Sequence, residues 1–128
     1  MFTKKDRSTF PYWFAHWCAF QMTALNLGVW RVKYLFHDIE KPFLRLLWGD
    51  YKKVQKWHRF HNRHHLSYKD PEKIDWEALI IDWECSRFTK LSSPRTAREE
   101  METYREKDKV TYDWINSNMC LILDKLGL

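Results

Sequence analysis

Glycine and proline are scarce in this sequence, with three and four residues among 128. Because turn-rich β folds need these residues at their turns, the low counts disfavour an all-β protein. No repeat or low-complexity tract divides the chain, and its length fits one domain. We therefore predict an all-α fold, a compact bundle of about six helices that forms one domain over residues 1–128, with residues 1–7 frayed.

Cysteine is also rare, and the three thiols of Cys18, Cys85 and Cys120 are odd in number and widely separated. This pattern excludes a disulfide framework and a zinc knuckle. The apolar surroundings of all three predict reduced core residues, which are typical of a cytoplasmic protein.

Charged residues are absent from residues 8–30, a stretch long enough to span a bilayer. The stretch nevertheless carries polar residues such as His16 and Gln21, has Pro11 near its start, and lacks a small-residue cleavage site. We therefore expect neither a membrane span nor a secretion signal. His16 shares a helical face with large aromatic residues, so we expect its side chain to point inward.

Aromatic residues make up 17% of the chain, which predicts a packed globule even though 30% of the residues are charged. The net charge of +5 is uneven, because residues 1–69 hold 13 Lys and Arg against 4 Asp and Glu, whereas residues 70–128 hold 9 against 13. A basic half suits an anionic partner, but solvated helix faces explain the pattern equally well.

Capping residues, prolines and glycines divide the chain into predicted helices. The first begins after a cap at Ser8 or Thr9 and runs to residue 27, and the others cover residues 29–36, 41–48, 51–66, 71–88, 95–108 and 110–126. The last third of the chain supplies packing residues and no candidate site.

His37 and Asp38 lie side by side at the end of an apolar run, shortly before Pro42. Neighbouring side chains of a regular helix point about 100° apart, so an adjacent pair usually diverges. Pro42 fits the first turn of a new helix and biases Lys41 away from helical geometry. The pair is thus predicted at a helix-to-helix corner, where both side chains can turn inward and bind one metal ion. A polar helix end is the plainer interpretation.

Four of the six histidines fall within eight residues of the predicted helix 51–66. His58, His61 and His65 have i, i+3, i+7 spacing, which would place them on one helical face as metal ligands. The same helix carries cations that could instead face nucleic acid, namely Lys52, Lys53, Lys56, Arg59 and Arg63. This helix alone supports the two interpretations about equally.

Asp82 lies in the apolar segment Ile-Ile-Asp-Trp-Glu-Cys, where an unpaired buried carboxylate would cost several kcal/mol. A bound cation would remove this cost. The alternative is a surface position beside Glu84.

His16, the His37-Asp38 doublet and Asp82 follow one another on separate predicted helices, in an order that resembles the HD-domain superfamily of metal-dependent phosphohydrolases. In that superfamily a helical bundle brings one His, a His-Asp doublet and a distant Asp to a divalent ion. Residues 37–42 also resemble the HD-GYP cyclic-dinucleotide phosphodiesterases, in which the Lys corresponding to Lys41 contacts phosphate. The GYP signature itself is absent.

Residues 16–88 further resemble small uncharacterised proteins often encoded by phages. The shared features, besides His16 and the doublet with Lys41, are the segment Asn62-Arg63-His64-His65 followed by Tyr68, and the pair Asp82-Trp83. A phage origin would place the protein in the host cytoplasm.

The resemblance implies a phosphohydrolase that acts on a nucleotide or related phosphoester. Mixed imidazole and carboxylate ligands suit one or two divalent ions, namely Mn²⁺, Fe²⁺, Zn²⁺, Ni²⁺ or Mg²⁺. The implied ligands are His16, His37, Asp38 and Asp82, joined by His58 and by His64 or His65 if two ions bind. Asp38 and Lys41 would be catalytic, and Lys41, Arg59 and Arg63 would hold the substrate. Glu40 is interpreted as a solvated corner residue, with a role in proton transfer as the alternative.

Two other classes of function fit the same residues. Myo-inositol oxygenase and its relatives use the same ligand order to hold two iron ions and activate oxygen. A non-catalytic basic and aromatic protein could instead bind nucleic acid or a host protein, and it would keep its affinity without His37 and Asp38.

Overall fold

The computed structural model describes residues 9–90 and 94–128, and over this part of the chain it contains α-helices, short 3-10 helices and no β-strand. The α-helices are α1 (Phe10–Asn26), α2 (Glu40–Trp48), α3 (Tyr51–His61), α4 (Trp76–Ser86), α5 (Ala97–Lys107) and α6 (Lys109–Leu126), and the 3-10 helices are Val32–Phe36 and Pro71–Lys73. The predicted all-α bundle of about six helices is confirmed. Residues 1–7, predicted to be frayed, lie outside the described residues.

Side-chain caps begin several helices, and the Thr9 cap of α1 is one of the predicted ones. The side chains of Thr9 and Asp50 accept hydrogen bonds from first-turn amides of α1 and α3. A capping box of Thr96 and Glu99 begins α5. Because such caps satisfy amides that have no partner within the helix, they fix where each helix begins. The alternative cap Ser8 and the residue Ser93, which precedes the predicted helix 95–108, lie outside the described residues.

Three predicted helices are shorter in the structure. Residues 29–36 form only the 3-10 helix Val32–Phe36, and the predicted helix 71–88 begins as a 3-10 turn before α4. Asp75 caps α4 by accepting a hydrogen bond from the Ala78 amide at 3.1 Å. The predicted helix 51–66 ends at His61, because the side-chain amide of Asn62 donates to the His58 carbonyl that the next helical turn would have used.

Two clusters of buried apolar side chains meet on α4, which packs against α1 on one side and contacts α5 and α6 on another. The first, here called the α6 core, includes Leu79, Ile80, Met101, Ile115, Met119 and Leu123. The second, the α1 core, consists of Phe20, Ala24, Tyr34, Ala78, Ile81 and Cys85. α4 therefore anchors both halves of the bundle.

The three cysteines are free thiols, and of these Cys85 is buried whereas Cys18 and Cys120 are partly buried. Within residues 9–90 and 94–128, no helix combines the length and the apolar character needed to cross a membrane.

Candidate metal centre

The backbone between the 3-10 helix Val32–Phe36 and α2 turns sharply at Asp38, whose φ of 56° is left-handed. Asp is one of the few residues besides Gly that adopt this conformation readily. The indole Nε1 of Trp13 donates a hydrogen bond to the Asp38 carbonyl at 2.8 Å and holds the turn against α1. The turn lets the side chains of His37 and Asp38 face the interior together, and both are buried.

A first group of ligands contains His16 from α1, His37 and Asp38 from the turn, and Asp82 from α4. The Nε2 atoms of His16 and His37 lie 2.9 and 3.1 Å from Oδ1 of Asp82. They lie 3.7 and 3.4 Å from Oδ2 of Asp38. The predicted donors on separate helices therefore come together, with one ligand atom from each within 4.8 Å of the others.

A second group contains Asp38, His58 from α3, and His64 and His65 from the loop after α3. The Nε2 atoms of His58 and His64 lie 2.8 and 3.0 Å from Oδ1 of Asp38. Asp38 thus directs one carboxylate oxygen to each group.

The predicted helical face of His58, His61 and His65 is wrong, because α3 ends at His61. His61 is exposed, stacks on the ring of Trp57 and donates its Nδ1 proton to the Trp57 carbonyl. His64 and His65 reach the centre from the loop instead. Both join the group, whereas the sequence predicted that only one of them would.

The donor set fits a divalent cation. The Nε2 atoms of His16 and His37 are 3.3 Å apart, as are those of His58 and His64, and each such pair can share only one proton between two nitrogens. Among the residues that the structure describes, the buried Nε2 atom of His65 has no hydrogen-bond partner. Because buried polar atoms rarely lack partners, these buried imidazole and carboxylate groups could hold a metal ion.

Both buried carboxylates are held in their ionised form. Burial would raise the pKa of Asp38, but nearby His37 and Lys41 hold that pKa well below its ordinary value. Burial would likewise raise the pKa of Asp82, yet its hydrogen bonds with His16 and His37 hold it well below its ordinary value. A carboxylate must be ionised to bind a metal cation, so both side chains are ready to act as ligands.

The imidazoles differ in their protonation. Burial lowers the pKa of His37 to about 4 and that of His65 to about 2, so both are neutral at physiological pH and have a free lone pair. Burial would also lower the pKa of His58, but the carboxylates of Asp38 and Glu40 raise it above its ordinary value. The two acids therefore favour the protonated form of His58, in a place where a metal ion could replace its Nε2 proton.

Glu40 is not the solvated corner residue that the sequence predicted. Its carboxylate accepts hydrogen bonds from Nδ1 of His58 and, at 3.0 Å, from the side-chain amide of Asn62. A carboxylate on Nδ1 leaves Nε2 of His58 to face Asp38. The sequence signal that could have found this contact is the position of Glu40 in the first turn of α2, directly beyond the His-Asp corner.

Lys41 and Arg59 line a small cavity of about 90 Å³ together with the ligands His16, Asp38, His65 and Asp82. The Lys41 ammonium lies 3.3 Å from Oδ2 of Asp38. Burial would lower the pKa of Lys41, but Asp38 raises it above its ordinary value, so the ammonium stays charged. Two of the three predicted substrate-binding cations thus lie beside the ligands.

Arg63, the third predicted substrate-binding residue, does not line this small cavity. Its Nε donates to the Lys73 carbonyl at 2.7 Å, and its side chain lines a different cavity beside His37 and His64. The adjacent residues Arg63 and His64 thus have different partners, the Lys73 carbonyl and the Asp38 carboxylate.

Larger cavities adjoin the small one on two sides. A mainly apolar cavity of about 360 Å³ lies between α1, α2 and α3, and it shares Tyr12, His16, Asp38, Lys41 and Tyr51 with the small cavity. A more polar cavity of about 280 Å³ extends toward α5 and is lined by Lys90, Arg95, Glu100 and Tyr104. Residues of the last third of the chain, for which the sequence predicted packing alone, thus line a cavity next to the candidate ligands.

Comparisons of this chain with protein-family models, with curated proteins and with solved structures found no match.

Proposed function

We propose that this protein is a metal-dependent phosphohydrolase that acts on a nucleotide or a related phosphoester. The observation that carries the proposal is the position of Asp38, whose two carboxylate oxygens face two histidine-rich groups while Lys41 lies beside it. This arrangement supports the resemblance to the HD-domain superfamily, as does the order of the ligands along the chain.

The chain supplies distinct groups for each part of the reaction. Bound divalent ions would withdraw charge from phosphate oxygens and lower the pKa of water, so that hydroxide is available near neutral pH. His16, His37, Asp38 and Asp82 would hold one ion, and Asp38 with three histidines, His58, His64 and His65, would hold another. Lys41 and Arg59 would bind the phosphate oxygens.

Hydrolysis adds one water molecule across a phosphorus–oxygen bond. The hydroxide oxygen bonds to phosphorus, and the bond from phosphorus to the leaving oxygen breaks with its electron pair. The proton released from the water ends on the leaving oxygen. The buried, charged Lys41 offsets the negative charge that develops on the phosphate.

Asp38→Asn is the test of this function. Asn tolerates the left-handed backbone of residue 38 but removes the shared negative charge. We expect the purified variant to lose most of its bound metal and its hydrolysis of a nucleotide panel with added Mn²⁺, while circular dichroism shows unchanged helix content. His61→Gln is the matched control, since His61 belongs to neither ligand group, and it should keep metal and activity. Normal hydrolysis by Asp38→Asn would refute the proposal.

A di-iron oxygenase is the second candidate, because one carboxylate shared by two ligand groups also suits a pair of iron ions. Such an enzyme would retain iron on purification and would consume oxygen with a substrate. Oxygen uptake together with no release of phosphate from any nucleotide would favour this class over the phosphohydrolase.

A further inference from the structure

The polar cavity next to the candidate metal centre is here called the cationic cavity. Its cationic side chains are Arg59 from α3, Lys90 just beyond α4, and Arg95 ahead of α5. It shares Arg59, His65, Asp82, Ser86 and Lys90 with the small cavity that contains the ligands. A molecule bound at the metal centre can therefore extend into it directly.

The positive charge of this cavity is only partly neutralised within the protein. Arg95 forms an ion pair with Glu100 at 3.4 Å. Across residues 9–90 and 94–128, no carboxylate lies within ion-pair distance of Arg59 or Lys90. The remaining carboxylate that lines the cavity, Asp82, is already bonded to His16 and His37. Two cations that have no acidic partner in the described part of the chain are suited to an anionic group of a ligand.

The opposite side of the small cavity has a different character. There the apolar cavity presents Trp13, Pro42, Leu46 and Val54, with Lys41 where it adjoins the metal centre. A ligand that spans all three cavities would place an organic group in the apolar cavity, one phosphate at the metal centre and a second phosphate between Arg59 and Lys90. Neighbouring phosphates of a phosphoanhydride share an oxygen, so they can occupy adjoining cavities without a spacer.

We infer that the substrate is an organic diphosphate, and that Arg59 and Lys90 bind its terminal phosphate. This inference rests on the proposed phosphohydrolase function. Water attacks the inner phosphorus, and the bond from that phosphorus to the bridging oxygen breaks with its electron pair. The products are the organic monophosphate, inorganic phosphate and one proton. Arg59 and Lys90 stabilise the charge that grows on the departing phosphate.

Anion binding to the metal-free protein tests the cavity without any hydrolysis. In isothermal titration calorimetry we expect inorganic pyrophosphate to bind more tightly than inorganic phosphate. Arg59→Gln and Lys90→Gln should each weaken pyrophosphate binding by about tenfold, the loss expected for one charged hydrogen-bonding group. Lys56→Gln and Lys69→Gln are matched controls, because both side chains are exposed and line none of these cavities. They should bind pyrophosphate as the natural protein does.

Steady-state kinetics then connect the cavity to the reaction. For the metal-loaded protein we expect kcat/KM to be higher for a nucleoside diphosphate than for the corresponding monophosphate, and the ratio to approach one in Arg59→Gln and Lys90→Gln. Equal affinity for pyrophosphate and phosphate, or a preference that survives both substitutions, would overturn the inference. Pyrophosphate binding that depends on Arg59 and Lys90 without hydrolysis of any phosphate compound would instead overturn the proposed function and leave the anion site standing.

Discussion

Glu40 fixes the orientation of the His58 ring. Its carboxylate bonds to Nδ1, so Nε2 is the atom that faces Asp38 at 2.8 Å. Asn62 holds the same Glu40 oxygen at 3.0 Å and thereby fixes the orientation of the carboxylate. In metal sites, a carboxylate in this position makes the ligating imidazole a stronger donor.

Glu40→Gln should therefore weaken divalent metal binding by about tenfold, since an amide can still bond to Nδ1 but lacks the charge. Competition with a chromogenic chelator measures the affinity. Glu72→Gln is the control, because Glu72 is exposed and belongs to neither ligand group. Unchanged affinity in Glu40→Gln would show that Glu40 does not position His58.

At the scale of single elements, α4 depends on its first turn to present Asp82 correctly. Asp75 accepts a hydrogen bond from the Ala78 amide at 3.1 Å, pairs with Lys33 at 2.6 Å and donates its own amide to the Arg63 carbonyl at 2.7 Å. Burial would raise the pKa of Asp75, but Lys33 and the Ala78 amide hold it below its ordinary value. Asp75 thus ties the start of α4 to two preceding segments, to Lys33 through its ionised side chain and to Arg63 through its backbone amide.

Asp75→Ala should lower the free energy of unfolding at neutral pH by about 1 kcal/mol, the usual cost of removing a helix cap. Because the folded pKa lies below the unfolded one, this stabilisation is complete above an ordinary Asp pKa of about 4 and is lost as the pH falls below it. The difference in free energy of unfolding between the natural protein and Asp75→Ala, measured by urea denaturation, should therefore shrink as the pH falls. Asp113→Ala, at an exposed ion pair, should change stability very little at any pH. A pH-independent difference would contradict the role of the Asp75 charge.

The same elements show what local sequence could and could not predict. The corner at His37 and Asp38 was predictable, because Pro42 and the end of an apolar run are local signals. The end of α3 was not, since neither glycine nor proline follows His61 and the periodicity continues to residue 66. There the contacts of Asn62 with His58 and of His64 with Asp38 override the helical pattern. The position of Arg59 and Lys90 on the same cavity has no local signature either.

Across the whole molecule, the two cores have different tasks. The α6 core stabilises the bundle and contains none of the candidate ligands. The α1 core lies against them, because the ring of Phe20 stacks on the ring of His37 with centroids 3.7 Å apart. Packing in the α1 core therefore fixes the orientation of a ligand as well as adding stability.

Substitutions in the two cores should separate these tasks. Ile115→Ala should lower the free energy of unfolding by about 2–5 kcal/mol through the cavity it leaves, while the metal affinity of the folded protein stays the same. Phe20→Leu should weaken metal binding by about tenfold, because His37 loses the ring that orients it. Urea denaturation and metal titration of both variants measure the two effects. Weaker metal binding in Ile115→Ala would contradict this division of tasks between the two cores. Unchanged metal binding in Phe20→Leu would contradict it too.

The contact of His16 with Asp82 joins residues that are 66 positions apart. An ion bound to both would act as a crosslink and close this long segment of chain, as a disulfide does in proteins that have one. Detachment of α1 from α4 would then require the ion to leave first. The lifetime of the folded state would follow the rate at which the ion dissociates. A chelator that prevents rebinding would therefore cause unfolding at that rate, besides shifting the final equilibrium.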